Sequence, residues 1–292
     1  MANLKEIRIR IASVESTKQI TSAMKLVAAS KLRRAQDAIL MMRPYAAKMH
    51  EILQNLSSGD SSDENVYGRQ SAINKVLIIA ITSNRGLCGA FNANVIKRVN
   101  YLLANDYHSQ NQQGNVDIIT VGRKASEFFA KSAYHLKEKH DHIWDELNWS
   151  VAQNFTESIL KKFREGEYDR IDLVYNQFKN AGSQVLTVEQ FLPVKPVDSE
   201  TVAKTSIDYI MEPSKEVIVE GLIPKSLKVQ LYKALLDSYA SEHGARMTAM
   251  HKATDNATEM VKELKLVYNK ARQATITNEI IEIVGGANAL KG

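Results

Sequence analysis

The sequence of 292 residues is poor in cysteine, proline and aromatic side chains: it has Cys88 alone, five prolines and 7% aromatics. One thiol cannot close an internal disulfide, and no Cys/His cluster has zinc-ligand spacing, so neither device is expected to hold this fold together. A reducing compartment fits that composition. Few prolines and aromatics argue against a turn-rich all-β sandwich. Long apolar runs are missing as well. The longest, Val76 to Ile81, falls far short of the roughly 20 residues that cross a bilayer. The start, Met1 to Arg8, alternates charged with aliphatic residues and is unlike a secretory signal or an acid-poor transit peptide, so the chain reads as beginning with mature protein. Charge is nearly balanced, 38 basic against 33 acidic residues for a net +5. It is spread along the chain, as on a solvated basic surface or one facing an acidic partner.

What is present begins with two long helical patterns. From Met1 to Leu56 there is no glycine and one proline, Pro44, and a seven-residue repeat runs without a skip through Leu4, Ile7, Ile11, Val14, Lys18, Thr21, Lys25, Ala28, Leu32, Ala35, Ile39, Met42, Ala46, Met49, Leu53 and Leu56. This is a coiled-coil seam, and at 1.5 Å per residue the helix would be roughly 80 Å long. Ser57 to Ser62 ends it. A second repeat starts near Pro224 and runs Val229, Tyr232, Leu236, Tyr239, His243, Arg246, Met250, Ala253, Ala257, Met260, Leu264, Val267, Ala271, Ala274, Asn278 and Ile281. The two seams are expected to pair antiparallel within the chain, with alanines allowing close approach; a homodimeric coiled coil is the alternative. Two features stand out near the helix ends. The first seam turns polar at Lys18, Thr21 and Lys25, with Lys31, Arg33 and Arg34 beyond, while Ile276, Ile280, Ile281, Ile283, Val284, Ala287 and Leu290 fall on nearly every side of the last helix. A helix apolar all round must be surrounded, which implies a sleeve of partner protein.

Between the helices, residues 73–192 alternate apolar runs with helical patterns. Strands are expected over Ile73–Thr82, Val116–Val121, Arg170–Gln177 and Gln184–Leu192, with helices over Ala90–Ala104, Arg123–Lys131 and Asn148–Glu165. A further alternating piece, Ile207, Tyr209 and Met211, could add an edge strand. The fold class is therefore α/β with a mostly parallel, Rossmann-like sheet plus a long antiparallel coiled coil. The divisions are 1–57 for the first helix, 70–212 for the α/β domain and 213–292 for the last helix.

Chemistry is sparse. The turn Thr82-Ser83-Asn84-Arg85-Gly86-Leu87-Cys88-Gly89-Ala90 opens a helix. Free amides there could cradle a phosphate, yet a tight strand-to-helix turn needs small residues regardless, and no complete phosphate-loop or dinucleotide motif occurs. Cys88 could be a nucleophile only with a base nearby; His50 and His108 are nearest in sequence, and a buried helix-start cysteine is the other reading. His135, His140 and His142 with Asp141 could suggest a metal, or simply a polar surface loop. The basic stretch Lys25 to Arg34 lacks the aromatic interleaving of a nucleic-acid site.

Several blocks together carry a resemblance. Ile20 to Lys31 in the first helix, Arg85-Gly86-Leu87-Cys88-Gly89 in the middle, and in the last helix Ala245 to Met250, Ala253 to Ala257 and Tyr268 to Ala274 resemble the gamma subunit of the rotary F-type ATP synthase. The C-terminal signature Ile276, Thr277, Glu279, Glu282, Gly286, Ala287 and Ala289 completes it, over essentially the whole chain. The resemblance implies a central rotor shaft inside a ring of alpha and beta subunits, coupling ion flow through a membrane rotor ring of c subunits to ATP synthesis or hydrolysis by rotation. It implies contacts with the epsilon subunit, no catalytic site, cofactor or metal on this chain, no membrane insertion and no nucleic acid. It also implies a place on the cytoplasmic face of a bacterial plasma membrane. Carried over residue by residue, Arg272 and Gln273 should meet a beta-subunit catch loop with Lys25 helping. Met24, Arg246, Ile276, Thr277, Glu279, Ile280, Glu282 and Val284 should line the contacts with that loop and the alpha/beta collar. Chloroplast relatives carry an inserted cysteine pair; with Cys88 alone, thiol switching of that kind is not expected. The competing reading is an α/β enzyme or nucleotide-binding protein using Gly86 to Gly89 and Cys88.

Overall fold

The computed structural model describes residues 4–57, 66–69, 72–194 and 215–289. They divide into two compact units, Ala29–Arg246 and Met1–Ala28 with Met247–Gly292. The long helices α1 (Leu4–Ser57) and α6 (Lys215–Ala289) contribute to both.

The larger unit is built on a five-stranded sheet of β1 (Val76–Ile81), β2 (Val116–Val121), β3 (His135–Lys139), β4 (Arg170–Asn180) and β5 (Ser183–Leu192), in the order β3-β2-β1-β4-β5. Its pairings are parallel except for the β4–β5 hairpin. Every residue of β1 is buried, which explains its unbroken apolar run: helices cover both faces. Leu77, Ile79 and Ile81 face one core, with Phe155, Ile159 and Phe163 of α5 (Trp149–Arg164). Val76, Ile78 and Ala80 face the other, with Val95, Val99 and Leu103 of α2 (Phe91–Ala104) and Ala125 and Phe129 of α4 (Arg123–Phe129). A short α3 (His108–Gln112) leads into β2. Asn148 caps α5 by accepting the Val151 amide at 2.9 Å.

Two expectations change. The polar stretch containing His135 is not a loop but the edge strand β3, paired with β2. Its residues alternate between exposed and half-buried, so no apolar face announced it. The last helix starts at Lys215, ahead of Pro224, which lies inside it; a proline there gives up its own backbone bond and crowds the carbonyl four residues before it. The expected strand around Ile207, Tyr209 and Met211 lies outside the described residues.

The part of α6 that belongs to the larger unit has a second role that the seam did not reveal. Ile223, Leu227, Leu231, Ala234 and Leu235 belong to the same core as α5 and the sheet. Lys228 pairs with Glu157 of α5 at 2.5 Å, and Gln230 donates to Glu189 of β5 at 2.7 Å. In this unit α6 is a layer of the α/β domain as well as a coiled-coil strand.

Candidate partner-contact surface

In the smaller unit the two helices run antiparallel. Thr21 bonds Thr254 through their hydroxyls at 2.8 Å, Lys265 pairs with Glu15 at 2.8 Å, and Arg8 donates to the Tyr268 hydroxyl at 2.9 Å. These bonds settle the choice between intrachain pairing and a homodimer at the level of this chain. They also account for the polar seam. With one hydrogen each, one of the two hydroxyls donates to the other while its partner donates to its own helix, to the Lys18 carbonyl for Thr21 or the Met250 carbonyl for Thr254, and Lys18, Met24 and Lys25 are half-buried. The exposed Lys265–Glu15 pair adds little stability.

The seam of α6 keeps Met250, Ala253, Ala257, Leu264 and Ala271 as expected but shifts by one residue at two steps. Val261 is buried and Tyr268 half-buried, whereas Met260 and Val267 are exposed. Adjacent apolar residues made both frames available in the sequence. The bonds of Tyr268 and Thr254 to α1 belong to the observed frame.

Beyond Ala271 the pairing ends. Every residue from Arg272 to Asn288 is exposed, including Ala274, which the repeat had placed inside. Ile276, Ile280, Ile281, Ile283 and Val284 stand 47%, 55%, 62%, 71% and 52% exposed. At about 100° per residue they cover roughly 160° of the helix, so the apolar surface is a broad stripe rather than a full circle. Gln273 and Thr277 fall inside that stripe. Thr277 donates back to the Gln273 carbonyl at 2.9 Å, which leaves its methyl group as the outward feature. Arg272 and Glu279 flank one edge of the stripe, and Glu282 lies opposite it. Fully burying such a stripe from its half-exposed state would contribute roughly 4 kcal/mol.

Arg246 stands apart from these residues. It is 8% exposed, in the larger unit. It donates to the carbonyls of Gly86 and, at 3.2 Å, Arg85, and to the Glu242 carboxylate at 2.7 Å. Burial raises the Glu242 carboxyl above its ordinary range, and the Arg246 partner offsets part of that rise. Sequence reading missed Glu242, although a Glu four residues before an Arg is a legible helix pair.

The loop after β1 lies at the carboxyl ends of the strands, where the order switches from β2 to β4 and where ligands of open α/β sheets bind. Here its carbonyls face Arg246. Ser83 donates to the Arg85 carbonyl at 2.7 Å, and its amide to Asn92 Oδ1 at 2.9 Å. Cys88 is buried, with Asn92 Nδ2 at 3.2 Å and Ser83 Oγ at 3.7 Å, and burial pushes its thiol above the ordinary range. A buried, protonated thiol is a poor nucleophile. His108 bonds Gln112 at 2.9 Å; the side chain of His50 lies outside the described residues. Of the four candidates in the histidine region, His135 pairs with Asp117, His140 with Glu138 at 2.9 Å, Asp141 accepts from Ser126 at 2.6 Å, and His142 lies beside the His140 ring at 5.7 Å; among the described residues these side chains do not converge on a metal site.

An antiparallel helix pair whose last turns lie uncovered, in one chain with a Rossmann-like sheet, is the build of a subunit of a larger assembly. A family model described as ATP synthase matches residues 3–290. The ATP synthase gamma chain of Flavobacterium johnsoniae is 57% identical over 293 residues, covering all of both chains. That of Cytophaga hutchinsonii is 50% identical over 99% of each. The chain belongs to the gamma-chain family of ATP synthase, and is a subunit of that complex. Among solved structures, the central stalk and c-ring of Tetrahymena thermophila mitochondrial ATP synthase contains a chain with TM-score 0.59 and 26% identity, covering 80% of this chain and 99% of that one. Among the described residues no helix is long and apolar enough to cross a membrane.

Proposed function

We propose that this chain is the rotor shaft of an F-type ATP synthase, with its last turns of α6 enclosed by a collar of alpha and beta subunits. The observation that carries the reading is the exposed stripe of Ile276, Ile280, Ile281, Ile283 and Val284 on residues that nothing else described in the chain covers. Water is a poor environment for it, and a smooth apolar sleeve suits it. One edge of the stripe is bordered by Arg272 and Glu279, and the opposite side presents Glu282. Arg272 and Gln273, with Lys25 and Met24, meet acidic and polar groups on a beta-subunit catch loop. Thr277 and Val284 belong to the collar contact. The sheet unit faces the epsilon subunit and the membrane rotor ring of c subunits, on the cytoplasmic face of the membrane.

The chain itself carries no catalysis and needs no cofactor. The loop after β1 turns its Arg85 and Gly86 carbonyls to Arg246, and Cys88 is buried. Its effect on chemistry is indirect. An asymmetric shaft meets equivalent catalytic sites with different faces, so each beta conformation is stabilised by the face it contacts, and turning the shaft shifts the populations. Reconstitution tests this. The purified chain should not hydrolyse ATP, and mixing it with cognate alpha and beta subunits should yield a stoichiometric complex with strong ATPase activity. Hydrolysis by the chain unaided, or no complex, would overturn the reading.

A further inference from the structure

The stretch of α6 from Glu242 to Arg246 is held from two opposite sides. On one, Arg246 reaches the Gly86 and Arg85 carbonyls while tied to Glu242. On the other, Gly244 lies against the β4–β5 turn, where an added Cβ would come within 3.1 Å of the Ala181 carbonyl oxygen and 3.3 Å of its Cα. At about 100° per residue, Gly244 and Arg246 are roughly 160° apart around the helix. The Gly86–Leu87 peptide is pinned twice, by Arg246 at its oxygen and by a left-handed Leu87 at φ 64°, a conformation that a leucine keeps only when its surroundings enforce it. Glu242, His243 and Gly244 are all buried. Such an arrangement resists rolling of the helix within its seat. A core of aliphatic side chains alone would let a helix turn more easily, because apolar contacts have no directional preference.

We propose that the Arg85–Gly86 loop and the Ala181 turn grip α6 and make the sheet domain turn with the shaft, with Arg246 as the positioning residue of that grip. This rests on the rotor-shaft reading. In the complex with alpha and beta subunits, a bead attached to the sheet domain reports how tightly that domain follows the shaft: its angle fluctuates about each resting position. Arg246→Ala should broaden that distribution while leaving assembly and ATPase turnover near wild type. The Ser83 amide should exchange roughly tenfold faster, the effect of losing one charge-assisted bond that closes the loop. Arg246→Lys keeps the charge but not the fork to two carbonyls, and should broaden the distribution less. If Arg246→Ala does not assemble, Arg246→Lys alone decides. Unchanged fluctuation in the variant that assembles overturns the grip. A wild-type complex whose bead does not rotate with ATP overturns the rotor-shaft reading instead.

Discussion

Acid should loosen the larger unit through one buried histidine. His243 is 5% exposed, and among the described residues neither ring nitrogen has a hydrogen-bond partner. Burial first, then the charges of Lys31 on α1 and Arg246 on α6, hold its pKa down at about 3 against an ordinary 6.5. An unfolded chain therefore binds a proton at this position below pH 6.5 that the folded chain refuses. The corresponding stability is complete above pH 6.5 and declines as the pH falls towards 3, at about 1.4 kcal/mol per pH unit, or roughly 2 kcal/mol by pH 5. Glu242 works in the opposite sense: its raised carboxyl pKa favours the folded state on acidification, so the pH profile of the wild type alone does not isolate the histidine. His243→Leu does. Urea unfolding followed by tryptophan fluorescence reads this region, because Trp144 stacks on Tyr239 at 5.8 Å and Tyr239 meets the His243 ring at 4.4 Å. Between pH 7.5 and pH 5 the variant should gain roughly 2 kcal/mol relative to wild type. Parallel pH profiles for the two proteins would refute the reasoning.

The other predictions concern the tip, the seam and the thiol. Ile280→Asp places a charge in the apolar stripe and should weaken assembly with alpha and beta subunits by roughly 2–4 kcal/mol, measured by titration of the complex; unchanged affinity would count against the collar. Arg272→Ala should lower the ratio of ATP-driven ion pumping to ATP hydrolysis while the complex still forms in full yield, and an unchanged ratio would remove Arg272 from coupling. Thr21→Val should cost about 1 kcal/mol in thermal unfolding, and adding Thr254→Val should cost less than the sum of the two singles, since their hydroxyls are partners. Cys88→Ser should leave the ATPase of the complex intact, whereas loss of activity would restore the enzyme reading.

How much of this was legible in the residues depends on how many neighbours each residue had to satisfy. The α1 seam reads directly, because one apolar position per half-heptad faced one partner; Ile7, Thr21, Ala28, Leu32, Ala35, Ile39 and Met49 are buried. The strands β1 and β2 also read directly, since burial on both faces demands continuous apolar residues. Failures occur where two readings share the same letters. Met260-Val261 and Val267-Tyr268 offer two phases, and only the partner helix selects one. The edge strand β3 carries His135, Lys137 and Lys139 outward and has no apolar alternation to detect. The aliphatic ladder Ile223, Leu227, Leu231 and Leu235 was visible, but a helix stripe does not say whether a helix or a sheet covers it. Arg246 illustrates the same limit for the site. A charged residue in a seam suggests an external partner, and only the folded loop brings two carbonyls to it.

Protection of the last turns of α6 on assembly tests the central claim most directly. In a Cys88→Ser background, Ile280→Cys provides one thiol at a position that is 55% exposed in the chain alone. It should react rapidly with a maleimide in the free chain, and at least about tenfold more slowly once the alpha and beta subunits are bound, as expected for a group that opens to water only rarely. Equal rates in the free chain and in the complex would mean that no collar surrounds the tip.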